Sequence, residues 1–164
     1  MIIETQRLVL RKFKVTDASG LLALNSDPLV MKYTGDLPFK DIEDTKKFVE
    51  DYNHYNLHGY GRWSVILKSN KEFIGWCGLK KHDTGYTDLG FRFSQEHWNK
   101  GYATESTKAC IEYGFTKLQL NEIIGRVAQD NIASIKVLEK LGMSFWKKDE
   151  CQGIADAMYY RISI

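Results

Sequence analysis

A chain of 164 residues and 19.0 kDa has the length of one domain. Surface scaling leaves roughly 8,400 Å² exposed when folded against roughly 27,500 Å² unfolded, so about 70% of the surface can be buried without a disulfide or metal staple. With 43% hydrophobic residues, 27% charged residues and a mean hydropathy of −0.38, the composition excludes a disordered tail or a bilayer span, and 23 basic against 21 acidic residues, interspersed, give a net charge of +2 without the basic stripe of a nucleic-acid groove.

The elements follow from periodicity and breakers. Residues 5–13 alternate Leu8, Leu10 and Lys12 against Arg7, Val9, Arg11 and Phe13, the period of two of an opening strand. Thr16-Asp17 offers an N-cap for a short helix carrying Leu21, Leu22 and Leu24, stopped at Ser26-Asp27-Pro28. Residues 29–39 hold Gly35 and Pro38 and predict a loop with one helical turn at most. From Asp41, the residues Ile42, Thr45, Val49, Tyr52 and Tyr55 recur near helical spacing until Gly59 and Gly61 close the element. Strands at 62–67 and 73–79 flank the polar link Lys68-Ser69-Asn70-Lys71, and a third at 86–93 completes a run of antiparallel neighbours.

The character changes after Ser94. Ala103, Thr107, Cys110, Ile111, Gly114, Phe115 and Leu118 mark one stripe of a helix starting near Gly101. Residues 122–127 are a short apolar strand, 131–141 an amphipathic helix stopped by Gly142, and strands at 143–150 and 155–163 surround Cys151-Gln152-Gly153. No repeat or linker divides the chain. Residues 1–164 are expected to form a single α+β domain with a mixed, largely antiparallel sheet flanked by helices.

No apolar run approaches the roughly 18 residues of a membrane crossing, and the N-terminus lacks a basic segment followed by an apolar core, so neither a membrane partner nor a signal peptide is expected. Cys77, Cys110 and Cys151 are odd in number and far apart, as expected of reduced thiols in a cytoplasmic protein. There is no Gly-x-x-x-x-Gly-Lys-Ser/Thr, Gly-x-Gly-x-x-Gly, Gly-x-Ser-x-Gly or His-Glu-x-x-His. Of the four histidines only His54 and His58 stand at i, i+4; with no Glu in frame they read as polar residues on an exposed helical face, and no metal is expected.

The segment from Phe91 to Glu105 carries the most information. A strand runs into a polar, Gly-containing loop that opens a long helix, where unpaired backbone N–H groups and the helix dipole favour a phosphate or pyrophosphate. Gly101 and Ala103 keep side chains away from the backbone there. An ordinary capped helix start fits the same residues.

Trp98-Asn99-Lys100-Gly101-Tyr102-Ala103-Thr104-Glu105 resembles the acyl-CoA pyrophosphate loop of the GNAT superfamily of N-acetyltransferases, in particular the branch containing the ribosomal-protein-alanine N-acetyltransferases. Four further stretches are similar to that branch in order and spacing: the opening Thr5-Gln6-Arg7-Leu8-Val9-Leu10-Arg11, Ile74-Gly75-Trp76-Cys77-Gly78-Leu79, Asp88-Leu89-Gly90-Phe91, and the run from Asn131 to Met143. The similarity covers nearly the whole chain.

The resemblance implies acetyl-CoA as cosubstrate. Amides of Asn99, Lys100, Gly101, Tyr102, Ala103 and Thr104 would hold the pyrophosphate, and Phe91, Arg92 and Phe93 would bond the pantetheine arm as though it were an added strand, one amide polarising the thioester carbonyl. Asn131 and Ser134 match positions that reach the cofactor near its phosphates and sulfur; Asn131 also reads as a helix N-cap. Trp98 stands where the superfamily usually has Gln or Arg, a departure common in this branch. Leu138 falls where many relatives carry a tyrosine general acid, so Ser134 or a water is left to protonate the thiolate, whose pKa near 8.5 asks for little help.

The base side depends on the acceptor. A lysine amine with pKa about 10.4 is neutral in about one molecule in 2,500 at pH 7, an α-amine with pKa about 7.7 to 8.0 in roughly one in ten. Asp88 is the candidate base or water-orienting group, with an exposed strand carboxylate as the alternative; Glu105, on the first helical turn, reads as structural. The loop from Met31 through Tyr33 to Asp36 and the final hairpin around 149–156 are expected to wall the acceptor, with Met31, Tyr33 and Asp88 binding it. The expected activity is transfer of acetyl to a primary amine, of a protein N-terminus or a small molecule, by direct attack in a ternary complex, and the expectation leaves room for a homodimer. A non-catalytic acyl-CoA-binding or regulatory protein, to which Leu138 points, and a nucleotide-phosphate-binding module are the alternatives.

Overall fold

Alternation builds the sheet from its first strands. In the computed structural model, which describes residues 1–164, Leu8 and Leu10 of β2 (Leu8–Arg11) are fully buried and Val9 and Arg11 are not. The expected opening strand is interrupted: β1 (Ile3–Glu4) and β2 pair as a hairpin around a turn closed by Thr5, whose N–H donates to the Leu8 carbonyl at 2.9 Å. β3 (Arg62–Leu67), β4 (Phe73–Lys81), β5 (Thr87–Phe93), β6 (Glu122–Val127), β7 (Ser144–Cys151) and β8 (Ile154–Ser163) complete one sheet in the order β1-β2-β3-β4-β5-β6-β8-β7. Every pairing is antiparallel except β5 with β6, so the fold is α+β with a mixed, largely antiparallel sheet.

Four helices precede β3: α1 (Ala18–Ser26), α2 (Pro28–Met31), α3 (Ile42–Asp51) and α4 (His54–His58). The spacing of Tyr52 and Tyr55 predicts one helix through this region, but Tyr52 adopts an extended ψ of 94° that ends α3. Side-chain demands break it: the Tyr52 hydroxyl accepts from Arg62 N–H at 2.8 Å, and the Tyr55 hydroxyl accepts from Phe13 N–H at 3.1 Å while donating to the Arg62 carbonyl. Asp17 stands at the N-cap position of α1, as expected, but its side chain makes no cap bond there; it is a buried hub that takes both Arg11 Nη atoms at 2.8 Å and the Ser64 hydroxyl at 2.7 Å. Burial would raise its carboxyl, and the Arg11 and Ser64 bonds reverse that and hold it below the usual range.

The two faces of the sheet differ. Trp63, Val65, Cys77, Leu79, Leu89, Phe93, Ile123 and Val127 point to one side and share a core with Cys110 and Ile111 of α5 (Tyr102–Thr116) and Leu138 of α6 (Ile132–Lys140). Their neighbours Arg62, Ser64, Asp88, Arg92 and Arg126 alternate to the other side, toward α1. Between β5 and β6 the parallel register holds only for Asp88 with Ile124 and Leu89 with Gly125. Beyond that point the strands part, and the gap joins the two sides of the sheet. No helix is long and apolar enough to cross a membrane.

Candidate active site

The loop after β5 is shaped by its own backbone. Trp98 Nε1 donates to the Phe93 carbonyl at 2.8 Å and ties the loop to the end of the strand. Asn99 and Gly101 then take left-handed φ values of 60° and 81°, which turn successive amides toward one side, and α5 starts at Tyr102. The N–H groups of Asn99, Lys100, Gly101, Tyr102, Ala103 and Thr104 have no acceptor in the protein; the first intrahelical bond is Glu105 N–H to the Gly101 carbonyl. Six consecutive free amides at a helix N-terminus form an anion cradle.

A buttress holds this cradle from behind. Glu105 accepts from the Thr5 hydroxyl at 2.7 Å, from Arg7 N–H at 2.9 Å and from Arg7 Nε at 2.7 Å, while Arg7 Nη1 donates to the Lys100 carbonyl at 2.9 Å. The Arg7 guanidinium also lies 4.4 Å over the Tyr102 ring. Burial would raise the Glu105 carboxyl, but the Thr5 and Arg7 bonds hold it below the usual range. The opening Thr5-Gln6-Arg7 and the loop, expected as separate features, are one construction.

The gap between β5 and β6 opens beside the cradle. Ser94 N–H donates to the Ile74 carbonyl across the β4–β5 pair, so the antiparallel alternation turns the N–H and C=O of Phe91 and the N–H of Phe93 toward the gap, the Phe93 carbonyl being taken by Trp98. On the far side Asn131 caps α6, its Oδ1 accepting from Ser134 N–H at 3.3 Å. The Ser134 hydroxyl and the Asn131 amide nitrogen are free, and both residues line a cleft of about 1140 Å³ that also takes in Phe91, Arg92, Phe93, Asn99, Gly101, Tyr102, Ala103 and Thr104. Lys100 is not in that lining; it offers its backbone only. Leu138 lies one turn beyond Ser134 on the same face, over Gly125, where a Cβ would meet its Cδ1 at 3.0 Å. Ser134 is the nearest hydroxyl on α6 to that apolar contact.

The other side of the sheet supplies a charged wall. Asp88 is only 5% exposed, contrary to an exposed strand carboxylate. Its Oδ1 lies 2.9 Å from Arg62 Nη2 and 3.1 Å from His82 Nε2, and its Oδ2 lies 3.1 Å from Arg126 Nη2. Burial alone would raise this carboxyl; the Arg62 charge, the His82 bond and the Arg126 charge outweigh it and hold the group well below the usual carboxylate range. A carboxylate so strongly held in its ionised form is a poor proton acceptor, so the geometry favours the orienting role over the base. Gly90 leaves room for the arrangement, since a Cβ there would stand 2.6 Å from the Arg62 guanidinium.

His82 Nε2 has a partner for either protonation state: Asp88 Oδ1 can accept from it, and Arg126 Nη2, 2.9 Å away, can donate to it. Trp76 is stacked between Arg62 at 5.3 Å and Arg92 at 5.2 Å. Arg92 donates to Asn25 at 2.9 Å and to Asp36 at 2.6 Å, tying the 33–36 loop to the sheet. Tyr33, Asp36, Cys151 and Gln152 line this end of the cleft, and Gly35 packs so close to the final hairpin that a Cβ would meet the Gln152 carbonyl at 2.6 Å. Met31, expected to bind the acceptor, does not line the cleft; its carbonyl and sulfur face Thr34. Arg62, His82 and Arg126 converge from β3, a turn and β6, and no spacing in the sequence links them.

A family model described as the acetyltransferase (GNAT) domain matches residues 7–144. An uncharacterized N-acetyltransferase of Bacillus licheniformis, p20, is 40% identical over 147 residues, which is 88% of this chain and 82% of the relative. The solved structure of a GNAT-family acetyltransferase from Bacillus anthracis superimposes with a TM-score of 0.84 at 32% identity, covering 99% of this chain and 98% of that one. A spermidine N-acetyltransferase from Vibrio cholerae, solved with CoA and spermine, has a TM-score of 0.81 over 97% of this chain and 96% of its own, and at 22% identity it shares the fold alone.

Proposed function

Because the chain belongs to the GNAT family and is an acetyl-CoA-dependent N-acetyltransferase, we propose that its single domain, residues 1–164, transfers acetyl to a primary amine, of a protein N-terminus or a small molecule, by direct attack in a ternary complex. The observation that carries the reading is the row of six free amides at Asn99 to Thr104, beside a strand edge whose Phe91 and Phe93 backbone groups face an open gap. Those amides would hold the pyrophosphate, Phe91 to Phe93 the pantetheine arm, and Asn131 and Ser134 would reach it from α6.

The gap where β5 and β6 part would then receive the thioester. The amine nitrogen approaches from the side of Asp88 and Tyr33, attacks the carbonyl carbon, and the C–S bond breaks as the CoA thiolate leaves. A strand amide stabilises the oxyanion. Asp88 orients Arg62, Arg126 and His82, and does not take the proton. That proton passes to His82, whose Nε2–H bond to Asp88 leaves Nδ1 as the accepting atom. Ser134, or a water it holds, relays a proton from solvent to the thiolate.

The test is free-thiol release from acetyl-CoA across a panel of primary amines, with initial rates measured over both substrates. Intersecting double-reciprocal lines are expected. Parallel lines, or an acetylated protein isolated without acceptor, would replace direct attack by a covalent intermediate.

A further inference from the structure

The acceptor end of the cleft has an excess of cationic side chains and no carboxylate to spare. Four cations, Arg62, Lys80, Arg92 and Arg126, line it against two carboxylates, Asp36 and Asp88. Asp88 already binds Arg62 and Arg126, and Asp36 already binds Arg92. These arginines lie on the face of the sheet opposite α5, across β5 from the phosphate cradle, so cofactor phosphates do not account for them. A polycationic acceptor entering here would meet guanidinium groups first; the other carboxylates near Arg126, Asp83, Asp149 and Glu150, line a neighbouring pocket and not this cleft.

Arg126 marks where a ligand anion would fit. Its Nη2 bonds Asp88 and His82 and its guanidinium lies 5.9 Å from the Tyr159 ring centre; Nε is shielded from solvent, and Nη1 makes no hydrogen bond and stays accessible. Arg126 lines the cleft, and a ligand carboxylate that meets Nη1 would give the guanidinium the further acceptor it lacks. We infer that the acceptor is a primary amine that carries a carboxylate, seated on Arg126, and that polyamines are excluded. The inference rests on the reading of the acceptor as a primary amine. Two sources share this chemistry: a free α-amino acid, and a peptide whose N-terminal amine is followed by acidic residues.

The experiment compares kcat/KM for matched amines: L-alanine against L-alaninamide, a short peptide with Asp at its second and third positions against the same peptide with Lys there, and spermidine. The anionic member of a pair is expected to lead by on the order of 10- to 100-fold, the range of one hydrogen bond to a charged group. The pair showing that lead identifies the source, and spermidine should be the poorest substrate. Arg126→Gln should collapse the acid-to-neutral ratio toward one, and Arg126→Lys, which keeps the charge and the fold's ion pair, should restore part of it. Equal rates within both pairs, spermidine as the best substrate, or a ratio unmoved in Arg126→Lys and Arg126→Gln would each overturn the inference while leaving the primary-amine reading standing. Binding of CoA with thiol release from none of these amines would instead overturn that reading, and this inference with it.

Discussion

Replacing Asp88 by Asn separates an anchoring carboxylate from a general base. In the native protein the group is 5% exposed and faces two guanidinium groups and an imidazole within 2.9 to 3.1 Å. Asn keeps an acceptor oxygen but leaves Arg62 and Arg126 facing each other without a counter-charge. Removing one partner of a buried ion pair costs about 3–5 kcal/mol, and the retained acceptor argues for the lower end, about 3 kcal/mol. For a chain of this size that lowers the melting temperature by about 6 to 12 °C. The pH dependence carries the sign. The folded carboxyl is held below its ordinary value, so its contribution is fully present above the unfolded pKa of about 3.9 and is lost as pH falls below it. Thermal melts of both proteins from pH 8 to pH 3 should therefore differ by a constant amount down to about pH 4.5 and converge below it. A gap that closes between pH 8 and 6 would mean that Asp88 titrates near neutrality, as a base would. Equal melting temperatures at pH 7 would refute the anchoring role itself.

Acetyl-CoA at 100 times its dissociation constant should add about 2.7 kcal/mol and raise the melting temperature by roughly 5 to 10 °C; a well-folded protein with no shift would remove the cofactor assignment. Gly101→Val should abolish most of that shift, because φ is +81° there and an added Cβ would crowd Arg7 at 3.3 Å, whereas unaltered CoA affinity would refute the cradle. Glu105→Gln should loosen the loop and weaken CoA binding without moving the pH profile of kcat; a changed profile would make Glu105 a proton carrier rather than a buttress. His82→Gln should lower kcat/KM by about 10²- to 10⁴-fold at neutral pH, with the deficit shrinking as pH rises through the pKa of the amine. Superimposable profiles for this variant and the wild type would leave the proton to water.

The cofactor half of the cleft was legible in the sequence because it is local. Trp98 to Glu105 are consecutive, the chemistry is carried by backbone amides, and a Gly before a helix is a readable signal. Strand β3 was bounded at Arg62 and Leu67 for a similar reason: a short apolar run follows Gly61 and the polar link after it is unambiguous. Where tertiary bonds decide, the reading failed. Nothing near Tyr52 announces that its hydroxyl will cap the Arg62 amide and end α3, and nothing at Asp17 announces Arg11 and Ser64 as its partners.

The acceptor half fails the local test most completely, and for a physical reason. Asp88 was picked out, but its character is set by Arg62, 26 residues earlier, by His82, and by Arg126, 38 residues later. A carboxylate beside one histidine would read as a base; the same carboxylate between two guanidinium groups is an anchor, and only the fold brings the second and third partners to it. The consequence reaches the substrate. Backbone amides on a rigid loop can hold the same cofactor under many sequences, whereas the charge of the acceptor wall changes with any one of a few side chains on separate strands. Proteins that share this fold at 22% identity are therefore expected to share the cradle and differ at the wall. The Arg126 guanidinium, with Asp88 and His82 on Nη2 and no hydrogen bond on Nη1, is the place on this chain where that difference is written.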